Sequence, residues 1–387
     1  MALPLKYNLA NVVVRWRSTA ATILGVALVV AVYVLVQALA VGLEASSRNT
    51  GDPRNMLVFR KGSTAESSSQ VTREQFQLLP WLPQVARDPA GQPMLSADVV
   101  VLLNLPKKDR VSEANVTVRG VSPSGKFLRP QVRLSDGRWF TPGKREVVVG
   151  RRLAAIFADL EPGGTIHCGG KLLAVTGLTE AGNSAFDSEI WMDADEARSV
   201  FDRENYSSVL VRLTTPEAGP ALRDRIENDK RLPLTAMPET QYYASQTMAA
   251  MPIRILGNFL ATMMSVGAVF AAMNTMYATV GARTREVGTL RVLGFQRRAI
   301  LIGFLVEGTT LALLGGVLGC LLALPMQGWS ASTISLETFG ETVFQFQITP
   351  VLAAKGLLFS ALVGLAGSFL PAMRASRLPV IAALKSL

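Results

Sequence analysis

A membrane α-helical protein with four spans in a 1+3 arrangement, carrying one large α+β domain outside the bilayer, is the fold class this sequence predicts. Three observations carry the prediction. Four stretches are apolar over the roughly 20 residues that a helix needs to cross a bilayer. A segment of ordinary globular composition, residues 44–252, separates the first of them from the other three. The formal net charge of +10 is confined to three short segments that flank the spans.

Composition narrows the function before any motif is read. Hydrophobic residues make up 49% of the 387 and charged residues 18%, where a soluble globular chain carries about 25% charged residues. The excess of 39 Lys plus Arg over 29 Asp plus Glu invites nucleic acid as a partner, but a hydrophobic basic chain fits that poorly, and none is expected. Two cysteines, Cys168 and Cys320, and one histidine, His167, exclude a disulfide scaffold and any zinc site built from several Cys and His.

The first span, 19–43, contains no charge. Ala38-Leu39-Ala40 resembles a signal-peptidase site, but a signal core is only about 7–15 residues long, so the segment reads as an uncut anchor. The second span, 255–282 with its helix starting at 253, is uncharged between Arg254 and Arg283. The third, 299–324, contains only Glu307, and the fourth, 350–373, only Lys355. Charges inside spans are functional hypotheses by default. Lys355 lies near a span end and is expected to snorkel to the interface. Glu307 is expected to be protonated, hydrogen-bonded to a neighbouring helix, or coupled to motion. Gly315, Gly316 and Gly319 offer a small-residue face for close helix packing.

Charge orients the spans. Lys6, Arg15 and Arg17 precede the first; Arg283, Arg285, Arg291, Arg297 and Arg298 stand against Glu286 between the second and third; Arg374, Arg377 and Lys385 follow the fourth. The remaining basic and acidic residues balance, and the connection 325–349 holds Glu337 and Glu341 with no Lys or Arg. By the positive-inside rule, an amphipathic helix at 1–18, a coupling loop at 283–298 and a tail at 374–387 are cytoplasmic. Both termini are therefore inside, and the domain at 44–252 and the loop 325–349 are outside.

Within the large domain, two βαβ-type pieces at about 55–104 and 207–237 are expected around a β-rich centre. Strands are read at 55–60 and 98–104, with a short helix at 72–79 capped by Thr72. The second piece has strands at 207–213 and 232–237 around an amphipathic helix at 215–230. Central strands at 114–120, 146–150, 165–168, 171–177 and 189–192 follow from β-branched content and glycine punctuation.

The sequence offers no catalytic constellation. Gly120-Val-Ser-Pro-Ser-Gly125-Lys126-Phe127 approaches a phosphate loop, but Phe127 stands where a Mg²⁺-binding hydroxyl is required, so it reads as a turn. His167 beside Cys168 reads as a packed pair in a strand. Asp193, Asp195 and Glu196 read as the start of a helix. No catalytic residue, metal site or directly bound cofactor is expected.

The most specific stretch is Arg283-Thr-Arg285-Glu286-Val287-Gly288-Thr-Leu290-Arg291-Val-Leu293-Gly294. It is an amphipathic segment that Gly294 is placed to end and turn. On physical grounds it suits anionic lipid or a groove in a soluble partner. It resembles the inner loop of the MacB/LolC/FtsX-type permeases of ABC transporters, Arg-x-Arg-Glu-[Ile/Val]-Gly-x-Leu-[Arg/Lys]-x-[Leu/Met]-Gly. Further similarities follow in order: Asn8-Leu9 to Arg17 and Gly25 at the start, Phe304 to Gly319 in the third span, and Leu370-Pro371 to Leu384 at the end. The large domain is similar to the family's periplasmic core at Val118-Arg119-Gly120-Val121, Gly137 to Phe140, Glu146 to Gly150 and Leu173 to Gly177.

The resemblance implies a non-catalytic permease subunit in the cytoplasmic (inner) membrane. It would pair with a second protomer, as a homo- or heterodimer, and recruit two copies of an ABC ATPase subunit that bind ATP and Mg. Residues 283–294, with Arg283, Arg285, Glu286, Val287, Gly288, Leu290, Arg291, Leu293 and Gly294, would form the coupling helix. By mechanotransmission, the ATPase cycle would drive export or extraction of a lipoprotein, lipid, peptide or drug-like substrate on the periplasmic side. A periplasmic adaptor or an outer-membrane channel is an open addition. The alternative is an FtsX-like mechanical regulator that activates a periplasmic effector such as a cell-wall hydrolase. A membrane-anchored enzyme lacks a catalytic constellation.

Overall fold

The computed structural model describes residues 16–168, 170–246, 250–334 and 341–378. Residues 1–15 of the expected amphipathic helix and 379–387 of the expected tail lie outside the described residues, as do Lys6, Arg15, Glu337 and Lys385. In chain order the principal elements begin with α1 (Trp16–Arg48), β1 (Asn55–Arg60), α2 (Arg73–Leu78), β2 (Leu95–Pro106) and β3 (Glu113–Val121). Then come α3 (Gly125–Leu128), β4 (Arg133–Gly137), β5 (Glu146–Gly150), α4 (Arg151–Ile156), β6 (Thr165–Cys168) and β7 (Lys171–Glu180). They continue with β8 (Glu189–Asp193), α5 (Ala194–Val200), β9 (Ser208–Arg212), α6 (Gly219–Asn228), β10 (Leu234–Pro238) and α7 (Glu239–Gln246). The last are α8 (Ala250–Ala282), α9 (Thr284–Val292), α10 (Arg297–Ala323), β11 (Ser330–Ile334), β12 (Glu341–Gln345) and α11 (Pro350–Ser376).

The chain forms two compact units. One contains the described residues up to Val41, Met251–Trp329 and those from Phe346 onward; the other contains Gly42–Ala250 and Ser330–Gln345.

The first unit is helical. Four segments are long and apolar enough to cross a membrane: Thr19–Arg48, Ile255–Ala282, Arg297–Met326 and Pro350–Ser376. Their apolar character is spread around each helix, as expected where lipid rather than water faces the outside. Val26, Val30, Val34, Ala38, Ala312, Leu352 and Val363 close together at the centre of the unit. Thr22 Oγ1 donates to Thr275 Oγ1 at 2.9 Å, and Gln37 to Asn258, so two polar pairs tie α1 to α8.

The second unit is built on one mixed sheet in the order β10-β1-β9-β2-β3-β8-β5-β7-β4, with β6 on β7. The two expected βαβ pieces do not stand apart. β1 lies antiparallel between β10 and β9, and β9 lies antiparallel between β1 and β2. Their central strands read as unbroken apolar runs because both faces are covered. On one face, Met56, Val58, Val209 and Val211 meet Leu222 and Ile226 of α6, with Phe76 of α2 packed alongside. On the other, Leu57, Phe59 and Leu210 meet Leu128, Trp191 and Tyr242. Thr72 caps α2 in a reciprocal capping box with Gln75, and Asp193 caps α5 through the amides of Asp195 and Glu196. The short helix α7 and the strand β4 add to the expected elements.

The connection expected as an outer loop at 325–349 contains two strands among its described residues. β11 and β12 pair antiparallel, Ser330 opposite Gln345 and Ile334 opposite Glu341. The hairpin belongs to the α+β unit, because Val343 is fully buried in that unit's sheet core.

Candidate functional site

The turn between α8 and α10 brings together the basic loop, the third span and the intramembrane carboxylate. Arg283 leaves helical geometry (φ −111°, ψ 15°) and stands at the N-cap of α9. The helix ends in a left-handed glycine: Gly294 has φ +91°, its amide donates to the Arg291 carbonyl at 3.2 Å, and the Phe295 amide donates to the Leu290 carbonyl at 3.1 Å. This is the two-bond Schellman closure that glycine permits. Arg291 Nη1 adds a bond to the Phe295 carbonyl at 3.2 Å.

The other end of α9 is tied through a side chain. Arg283 Nη1 donates to Glu307 Oε2 at 2.8 Å, and both side chains are more than nine-tenths buried. Glu307 lies ten residues into α10, about 15 Å along it by helical rise. Lys355, near the start of the fourth span, is exposed. Met276, Val280, Val287, Ile300, Phe304, Ala372 and Ala375 form one apolar cluster linking α8, α9, α10 and α11. Arg374 lies over the Tyr277 ring at 5.8 Å.

The nine coupling-helix residues read from the sequence therefore divide. Arg283, Val287 and Gly288 are buried within the chain, and Leu290 and Arg291 are half-buried. Arg285, Glu286, Leu293 and Gly294 are exposed, as is Val292. Val292 and Leu293, 61% and 69% exposed, form an apolar tip in a segment whose Arg285, Arg297 and Arg298 are also exposed. A helix that buries one face in its own bundle and exposes an apolar tip with a basic rim can dock in a groove of a second protein.

The three predicted packing glycines face two different neighbours. A Cβ at Gly315 or Gly319 would lie 2.8 Å from the Ile23 carbonyl or 2.6 Å from the Ala27 carbonyl, both on α1. A Cβ at Gly316 would lie 2.3 Å from Ser360 Oγ on α11. Further along that seam, Gly308 meets Ser368 and Gly364 meets Ala312. Small residues here let α10 approach both helices at backbone distance.

The α+β unit holds a buried ion network that no sequence spacing announced. Arg119 on β3 bonds Glu189 at 2.8 and 2.9 Å, Glu66 at 3.0 Å through two nitrogens, and Asp98 at 3.3 Å. Arg129 bonds Asp98 at 2.7 Å and Glu239 at 2.8 Å. Tyr243, Trp191, Ser208 and Asn55 supply further bonds to the same groups. Burial pushes the Glu66 pKa up, but the Arg119 charge and hydrogen bonds, with Arg129 and the Ser208 hydroxyl, outweigh it and leave it below the usual value. The members come from β1, β2, β3, β8, β9 and α7, with Glu66 in the connection after β1 and Arg129 just after α3, so the network joins the two halves of the sheet. Elsewhere in this unit the expected packed pair does not hold: adjacent residues of β6 face opposite sides of the sheet, so His167 is exposed while Cys168 is buried, its thiol pKa pushed up by desolvation.

Comparison with known proteins covers both units. A family profile described as the MacB-like periplasmic core domain matches residues 19–229, and one described as the FtsX-like permease C-terminal matches residues 258–380. The chain is 26% identical over 291 residues to the uncharacterized ABC transporter permease YknZ of Bacillus subtilis, covering 70% of each chain. It is 27% identical over 323 residues to the macrolide export ATP-binding/permease protein MacB of Bordetella avium, covering 75% of this chain and 48% of that protein. It thus spans about half the length of that MacB relative. The crystal structure of the extracellular domain of YknZ from Gram-positive bacteria aligns with 47% of this chain and 99% of that one, at 18% identity and a TM-score of 0.36.

Proposed function

The chain belongs to the MacB/FtsX-type permeases of ABC transporters, and from that premise we propose that it is a non-catalytic membrane subunit driven by a separate ABC ATPase. Two ATPase copies would dock on the α9 tips of a permease dimer, homo- or heteromeric, and hold the ATP and Mg. Their cycle would do mechanical work through the membrane helices on the extracytoplasmic domain, exporting or extracting a lipoprotein, lipid, peptide or drug-like substrate. In this reading both termini and α9 are cytoplasmic, in keeping with the charge distribution.

The observation that carries the proposal is the division of α9. Its buried face is fastened to the helices behind it, while Val292 and Leu293 are presented outward. Exposed leucine and valine at the end of a structured, basic-rimmed turn suit burial in a partner's groove. The reading is tested by purifying the chain with its cognate ABC ATPase and following ATP hydrolysis in proteoliposomes. Co-purification and permease-dependent hydrolysis are expected; an ATPase that neither binds the chain nor responds to it would overturn the reading. Extraction of a labelled lipoprotein or lipid by the same proteoliposomes would favour transport. Activation of a cell-wall hydrolase without extraction would favour the regulatory alternative.

A further inference from the structure

We propose that Glu307 is a positioning residue that, through Arg283, locks the coupling helix to α10 and makes the α10–α11 pair the lever that ATPase motion turns. The inference rests on the docking role proposed above for α9.

Helix electrostatics alone give Arg283 no reason to sit where it does. The N-terminus of a helix carries positive partial charge and favours anions, yet Arg283 occupies the N-cap of α9. Its side chain turns into the helical unit and meets Glu307 at 2.8 Å. Removing two charges from water is costly unless they are paired with good geometry, so the arrangement favours one placement of α9 on α10. At the opposite end, the Schellman closure at Gly294 and the Arg291 bond to Phe295 fix the turn into α10. Val287 and Ile300 join the same apolar cluster between them. The coupling helix is thus held on α10 at both ends and along its buried face.

What α10 carries with it follows from the next residue. A Cβ at Gly308 would lie 2.5 Å from Ser368 Cβ, and one at Gly364 would lie 2.5 Å from Ala312 Cβ. At the depth of Glu307, therefore, α10 and α11 are in near-backbone contact and leave little room to slide independently. Interfaces packed this closely shift as units rather than deform continuously. Displacement of α9 by a docked partner would then move α10 and α11 together. This path differs from one that runs through α1 and α8.

The test uses the full chain with its ATPase, in a Cys168→Ser/Cys320→Ala background. A bimane fluorophore is attached through Leu321→Cys, an exposed position on α10 far along the helix from the pair. ATP is expected to shift the bimane emission of the otherwise wild-type complex. The neutral pair Arg283→Gln/Glu307→Gln leaves no unpaired buried charge and is expected to bind the ATPase at unchanged stoichiometry while losing the shift. The exchange Arg283→Glu/Glu307→Arg is expected to restore it. A full shift in the neutral pair, or no shift in the wild type despite bound and active ATPase, overturns the inference. Failure of the wild type to bind the ATPase overturns the docking role instead.

Discussion

The Ser188 hydroxyl, just before β8, accepts a hydrogen bond from the Val343 amide at 2.9 Å and donates one to the Val343 carbonyl at 3.1 Å. One side chain thus substitutes for a strand partner at the point where the β11–β12 hairpin enters the sheet core. Arg152 also reaches Gln345 at 3.3 Å, and a Cβ at Gly42 would lie 1.9 Å from the Gln345 carbonyl. In the chain the hairpin lies between α10 and α11, and its anchorage holds it in the α+β unit.

Ser188→Ala is expected to loosen that anchorage by leaving the buried Val343 amide without its acceptor, at a cost of about 1–3 kcal/mol. Hydrogen exchange of the detergent-solubilised protein should show faster exchange in Glu341–Gln345, with the rest of the sheet little changed. Unchanged protection there would mean that the apolar contact of Val343 alone holds the hairpin.

Arg119→Ala is expected to destabilise the α+β unit by about 3–5 kcal/mol, the range for removing one partner of a buried ion pair. It leaves the Glu66 and Glu189 carboxylates buried without their main cation. Trp191, which donates to Glu189 at 2.8 Å, reports the event directly, and its fluorescence transition on heating should move several degrees down. A midpoint within a degree of wild type would contradict the network's role in joining the two halves of the sheet.

Acid should destabilise the same unit. Bonded to Arg138, Glu146 is held down to about 2 from an ordinary 4.5, and Glu66 also lies below its ordinary value. A carboxylate with a depressed folded-state pKa contributes stability above its unfolded value and loses it as pH falls through the folded one. For Glu146 that window runs from about 4.5 down to about 2. Asp187, raised by burial, acts in the opposite sense, since acid relieves its desolvation. Tryptophan-detected melting at pH 7, 4.5 and 3 should show a falling midpoint, and Glu146→Gln should flatten part of the fall. A midpoint that holds steady or rises on acidification would contradict the sign.

Gly319→Leu is expected to disrupt packing between α1 and α10. Its Cβ alone would lie 2.6 Å from the Ala27 carbonyl and 2.9 Å from Val30 Cβ, where neither backbone can yield cheaply. The same change at Gly267, with nothing within 4 Å, serves as the control. Yield of monodisperse protein in detergent should fall for the first and hold for the second.

Much of this architecture was legible because it rests on local pattern. Hydropathy located all four spans, since a helix in lipid must be apolar along its whole length. Capping at Thr72 and Asp193 and the terminating glycine at 294 were readable from neighbouring residues. Relations between distant residues were not. Arg283 reads as one more basic residue of an inner loop, although it is drawn into the helical unit by a carboxylate 24 positions later. The signal was Glu307 itself, because an intramembrane charge requires a partner. Nothing local marks Arg119 as the centre of a buried network, since the three carboxylates and the tyrosine that it bonds are scattered from Glu66 to Tyr243. The interleaving of β1 between β9 and β10 was hidden because apolar runs buried on both faces do not disclose their neighbours.

Stimulated ATP hydrolysis tests the central claim most directly. The complex of this chain with its cognate ATPase is reconstituted, and Leu293→Asp, Glu286→Lys and Gly294→Pro are compared with wild type. Proline cannot adopt the φ of +91° found at Gly294 and lacks the amide that closes the Schellman turn. Loss of permease-dependent hydrolysis in all three, with each protein still folded in the membrane, is the result expected. Wild-type stimulation in all three would contradict the assignment of α9 as the coupling site.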